Sequence, residues 1–115
     1  MNNAELAAAY FAAIRARDAG TLRSLFTDDA ELVTLAGTFT GPDAIAGFYR
    51  DLAFKVDDLW PEPGPLVMVG DRAGVEIRLR MNGQVSLVGD FFTFADGKIA
   101  RLAVYTGPAA PDAEP

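Results

Sequence analysis

From Ala73 to Thr106 the chain alternates apolar and polar side chains and is broken twice by turn dipeptides, Asn82-Gly83 and Asp96-Gly97. Asn-Gly and Asp-Gly readily take the positive φ angles of a type I′ turn, so each is read as a tight hairpin. The strands between them cover residues 73–81, 85–94 and 99–106. Side chains alternate across a strand. Val75, Ile77, Leu79 and Met81 therefore face one way, and Glu76, Arg78 and Arg80 the other. On the middle strand Val88, Asp90, Phe92 and Phe94 share a face. A carboxyl group thus stands in line with two aromatic rings. An ionised carboxylate on an apolar face is costly, so Asp90 must find a donor, meet water or keep its proton.

The earlier part of the chain reads as helices around one short strand. Leu6, Tyr10, Ala13, Ile14 and Arg17 recur at helical spacing over residues 4–17. Tyr10 lies in that apolar stripe, where its hydroxyl needs a partner. A short second helix covers Thr21 to Phe26, followed by a turn at Thr27-Asp28-Asp29 and a strand from Glu31 to Leu35. The face of Thr34 on that strand is ambiguous. Residues 37–42 form a loop or short hairpin, and Pro42 suits the first turn of a third helix over residues 43–54. Ile45, Phe48, Tyr49 and Leu52 form its apolar stripe. Lys55 to Pro65 carries three prolines around Trp60 and is expected to be an irregular connection covering one end of the core. A strand at 66–69 and a turn at Gly70-Asp71 lead into the alternating region. The expected fold is α+β, a cone-shaped curved antiparallel sheet packed against three N-terminal helices. One domain spans residues 1–107, and the Pro/Ala-rich residues 108–115 are expected to be a disordered tail.

Composition removes several kinds of chemistry. The chain has no Cys and no His, which excludes disulfides, thiol nucleophiles, Ser-His-Asp triads and the usual zinc sites. No Asp/Glu spacing suggests a metal loop, and no cofactor is expected. A net charge of −6 with no basic run argues against nucleic acid or an anionic membrane surface as partner. No signal-like N-terminus or bilayer-length apolar run is present, so a soluble cytoplasmic protein is expected.

Four segments carry a resemblance. They are Tyr10-Phe11-Ala12-Ala13-Ile14, Leu25-Phe26-Thr27-Asp28-Asp29-Ala30, Gly41-Pro42-Asp43-Ala44-Ile45 leading to Phe48-Tyr49, and Asp90-Phe91-Phe92-Thr93-Phe94 with Asp96-Gly97-Lys98-Ile99. Over residues 4–107 the chain resembles the nuclear-transport-factor-2-like superfamily, in its SnoaL-like and ketosteroid isomerase group. The resemblance implies that Tyr10 and a protonated Asp90 form an oxyanion hole, with Tyr49 in support. It also implies a general base at the end of the first short strand, and that position here is Thr34. A Thr hydroxyl is far too weak a base at neutral pH. Glu31, Asp43, Asp51, Asp57 and Asp58 do not stand in the matching place.

The functional expectation is a ketosteroid-isomerase-like protein that binds an apolar carbonyl compound, steroid or polyketide-like. Its pocket would be lined by Val88, Phe92, Phe94, Phe48, Ile77 and Leu79, with Trp60 as a lid or anchor. The alternative is a non-catalytic binding protein using the same pocket, or a dimeric domain with no small-molecule role. The superfamily resemblance further implies a homodimer through the outer sheet face, where Glu76, Arg78 and Arg80 would pair across the interface.

Overall fold

A computed structural model describes residues 1–111. Helix α1 (Asn3–Ala16) starts at Asn2, whose side chain accepts from the Glu5 amide while Glu5 accepts from the Asn2 amide. That reciprocal pair satisfies two donors at the helix start. The helix ends where Arg17 turns left-handed. Its buried stripe includes Leu6, Tyr10, Phe11 and Ile14. Asp18 caps α2 (Ala19–Ser24) by accepting from Thr21. Strand β1 (Phe26–Thr34) and β2 (Gly37–Thr40) make a hairpin, and α3 (Pro42–Asp51) follows with Pro42 in its first turn.

Strands β3 (Trp60–Pro63), β4 (Val67–Val69), β5 (Arg72–Met81), β6 (Gln84–Ala95) and β7 (Lys98–Ala109) complete the sheet. Its order is β2-β1-β7-β6-β5-β3, with β4 also pairing β5. The fold class is α+β, an open curved sheet with the helices against one face. Asn82, Gly83, Asp96 and Gly97 all have positive φ, as the two hairpin dipeptides require. The core is continuous from α1 and α3 to the inner face of the sheet, through Leu22, Phe26, Leu32, Ile45, Phe92, Ile99 and Leu102.

Several boundaries differ from the sequence reading. Thr27-Asp28-Asp29 is no separate turn. It lies within β1, whose register against β7 slips between Phe26 and Glu31, so the polar residues bulge outward. The same pairing is parallel, which makes the sheet mixed rather than wholly antiparallel. The third helix stops at Asp51, and a single 3-10 turn over Ala53–Lys55 takes its place. The proline-rich connection contains a strand, because β3 runs antiparallel to β5 with Pro61 opposite Leu79 and Pro63 opposite Ile77. Proline is tolerated there because β3 is an edge strand, whose missing amides can face away from the ladder. Strand β7 continues past Gly107 to Ala109, and the Ala110 amide donates to the Val85 carbonyl at 2.8 Å. The remainder of the expected tail, residues 112–115, lies outside the described residues.

Candidate functional site

Asp90 sits in mid-β6 on the inner face, between buried Val88 and Phe92. Its cross-strand neighbours are Val75 on β5 and Val104 on β7. Neither side chain can donate a hydrogen bond, and the carboxyl, only 3% exposed, is left with Oδ1 buried and unpartnered. Loss of solvation pushes its pKa up to about 7. The sequence reading assigned Asp90 the neutral form. A value near 7 divides it between neutral and ionised forms at neutral pH.

Tyr10 from α1 and Tyr49 from α3 meet across the core and share a hydroxyl–hydroxyl hydrogen bond. The Tyr10 ring is held edge-on by Phe11, Phe26 and Phe92, with centroids 5.1, 6.4 and 5.6 Å away. Burial holds both phenols well above their ordinary pKa, and the nearby Asp90 charge raises them further. Both therefore stay protonated at neutral pH, and because one hydroxyl donates to the other, the accepting one keeps a proton to donate.

These three side chains line a cavity of about 470 Å³. That volume suits a small molecule, for which sites of roughly 300–1,000 Å³ are usual. Val88, Phe48, Ile77 and Leu79 also line it, as their faces predict. Phe92 and Phe94 do not line this cavity. They stack with centroids 5.7 Å apart and fill the core behind Tyr10. Trp60 is also outside it, 45% exposed, with the Arg15 guanidinium 5.2 Å above its ring. Alternation explains this, since Pro61 points inward from β3 and turns Trp60 out.

Thr34 lies at the cavity's edge, but its hydroxyl serves the β1–β2 turn. It donates to the Gly37 carbonyl and accepts from the Ala36 amide, both at 3.1 Å. Asp90 is the one carboxyl among the cavity-lining residues, which include no Lys or Arg.

Residues 55–65 were expected to cover one end of the core, but the wall of the cavity that Val56, Leu59 and Pro61 make within them was not assigned to the pocket. This strap is pinned from both sides. Arg15 donates twice to the Pro61 carbonyl, at 2.9 and 2.7 Å, and Arg17 reaches the carbonyls of Val56 and Asp57. Asp58 accepts from the amides of Asn82 and Gly83 at 2.7 and 2.8 Å, which holds its carboxyl below the ordinary range. Phe11 beside Tyr10 and Met81 in phase with Leu79 were visible signals for two further lining residues. Among the described residues no cluster of three or more His, Cys, Asp or Glu could hold a metal. Among the described residues no helix is long and apolar enough to cross a membrane.

The sequence profile of the SnoaL-like domain matches residues 7–102. The chain belongs to the SnoaL-like domain family. The match takes in Tyr10, Thr34, Tyr49 and Asp90, so the whole candidate site lies within the SnoaL-like domain. Solved structures agree with the SnoaL-like fold. A candidate polyketide cyclase from Sinorhizobium meliloti is 26% identical, with 87% of this chain and 93% of that chain covered at a TM-score of 0.79. TerC, co-crystallised with polyporic acid, is 24% identical, with 91% of each chain covered and a TM-score of 0.78. A Catenulispora acidiphila protein of ketosteroid-isomerase-like fold, in complex with trimethylamine, is 19% identical. It covers 88% of this chain and 84% of its own at a TM-score of 0.79. None of the curated proteins compared matches the chain.

Proposed function

We propose that this SnoaL-like domain binds an apolar carbonyl compound and moves a proton on it, as a ketosteroid isomerase does. The observation that carries the reading is the unpartnered, buried Asp90 carboxyl beside the Tyr10–Tyr49 pair in an apolar cavity. A substrate carbonyl directed at the tyrosines would receive a hydrogen bond from a hydroxyl that remains protonated. Ionised Asp90 would take a proton from the carbon beside that carbonyl. The C–H electron pair becomes a carbon–carbon double bond, and the carbonyl pair moves onto oxygen as an enolate held by the tyrosine donor. Neutral Asp90 then returns the proton to a different carbon, which gives the isomer and restores the carboxylate. A pKa near 7 suits both halves, because a shuttle works best when its pKa lies near the working pH. The likeness to a candidate polyketide cyclase supports a ligand that carries a ketone carbonyl.

A second reading is binding without chemistry. It is favoured by Thr34, whose hydroxyl is engaged in the turn and leaves no separate base at that edge. Proton exchange separates the two. Wild-type protein in deuterium oxide should exchange the acidic C–H of a 3-keto-Δ5-steroid or cyclic enone, and Asp90→Asn should be slower by 100-fold or more, the usual worth of a positioned acid–base group being about 10²–10⁴. Ligand binding with equal exchange in both proteins would leave only the binding role.

We also infer a homodimer through the outer sheet face. Phe91 and Tyr105 pack against each other there with their rings exposed, close to exposed Val67 and Val69. An apolar patch of this kind is a usual mark of an interface. Sedimentation should give a dimer for wild type and a shift toward monomer for Phe91→Asp. A wild-type monomer at high micromolar concentration would end this inference.

A further inference from the structure

Exposure grades steeply along the cavity. Asp90, Tyr10 and Tyr49 form a buried floor. At the mouth, Leu35 is 89% exposed and Leu52 is 57% exposed, and both still line the same cavity. Half-buried Met81 lines it too. These three come from unrelated elements, namely the β1–β2 turn, the end of α3 and the end of β5. Isolated exposed hydrophobics are ordinary, but these are continuous with one apolar cavity.

Leu35 is the most telling. Two-residue hairpin tips favour Gly, Asn, Asp and Ser, whose side chains or backbones help the chain reverse. Here the Thr34 hydroxyl already bonds both the Ala36 amide and the Gly37 carbonyl. The Leu35 side chain is left projecting into solvent at the cavity's edge. Nothing in the turn requires a leucine. The place where the family resemblance implies a catalytic carboxylate is thus built as a tight turn that presents an apolar side chain.

We infer that Leu35, Leu52 and Met81 form an apolar lip for the tail of an elongated ligand, one with a single polar end and an apolar body longer than the buried cavity. The ligand enters polar end first, so that its oxygen reaches the Tyr10–Tyr49 pair beside Asp90 and its tail lies across the lip. This inference rests on the proposed role of the floor. The lip adds a selection by length that the floor alone cannot make.

A series of 4-alkylphenols from methyl to octyl tests the lip, with binding measured by calorimetry. In the wild type, affinity should rise roughly fourfold for each added methylene that finds apolar contact, and should continue rising to the octyl member. In Leu35→Asn/Leu52→Asn the rise should stop early, so that the octyl-to-methyl affinity ratio falls at least tenfold. Thermal unfolding of the variant checks that both substitutions leave the fold intact, as their exposure predicts. An unchanged ratio in the folded variant overturns the lip. So does a wild type that binds 4-methylphenol with no gain along the series, and in that case the reading of the floor survives. If no member binds the wild type, the floor reading fails and the lip falls with it.

Discussion

The strap at Val56–Pro63 and the floor at Asp90 bound the same cavity, and they treat a carboxylate in opposite ways. Asp58 in the strap accepts from two backbone amides, and its pKa is lowered. Asp90 on the floor has apolar neighbours on both adjoining strands and one oxygen with no partner, and its pKa is raised. The strap uses its charge to hold the fold. The floor carries a charge that the fold would be more stable without. Buried polar groups are nearly always satisfied, so an exception inside a cavity points to a partner supplied from outside.

The largest expected effect follows from that cost. The Asp90 pKa in the folded chain, about 7, lies above the ordinary unfolded value of about 3.9. The folded state therefore binds the proton more tightly. This group's contribution is fully favourable below about pH 4 and is lost as pH rises through about 7. Asp90→Asn should then stabilise the protein at pH 8, by about 1–3 kcal/mol after allowing for the buried amide that replaces the carboxylate. At pH 4 the gain should vanish. Denaturant unfolding at the two pH values reads this directly. Asp58→Asn should do the reverse, lowering stability at pH 8 and losing that effect as pH falls through the lowered Asp58 pKa. Two variants with the same sign at pH 8 would erase the contrast between strap and floor.

A smaller effect sharpens the strap's part. Arg15 donates twice to the Pro61 carbonyl and lies over Trp60. Arg15→Met should cost about 1–2 kcal/mol, the worth of hydrogen bonds from a charged group with a modest cation–π contribution. A looser wall should also weaken 4-methylphenol binding by about threefold to tenfold, equivalent to about 0.7–1.4 kcal/mol. A change in stability with no change in affinity would make the strap a feature of the fold alone.

How much of this could be read from residues alone depended on how local each signal was. Asn82-Gly83 and Asp96-Gly97 specify their turns by backbone preference, and both turns stand where expected with positive φ. The inward face of Asp90 followed from alternation along β6, and Tyr10 and Tyr49 from helical spacing. What failed depended on partners far along the chain. Trp60–Pro63 becomes a strand only because β5 offers an edge, and Thr27–Asp29 bulges only because β7 fixes the ends of that segment. Phe92 and Phe94 share the Asp90 face but lie where α1 fills the space against it, and no periodicity reports where helix coverage gives way to cavity. That a Thr stands where the resemblance implies a carboxylate was legible in the sequence. That its hydroxyl was already committed to the turn was not, since this depends on the hairpin's closed geometry.

Everything assigned to the floor depends on Asp90 holding a raised pKa in the free protein. The carboxyl carbon resonance of Asp90, followed by NMR from pH 4 to pH 9 and assigned by its loss in Asp90→Asn, measures that property at the atom concerned. A titration midpoint near 7 is expected, moving on addition of 4-methylphenol. A midpoint near 4, unmoved by the phenol, would mean that the carboxylate is solvated or paired after all, and would contradict the account.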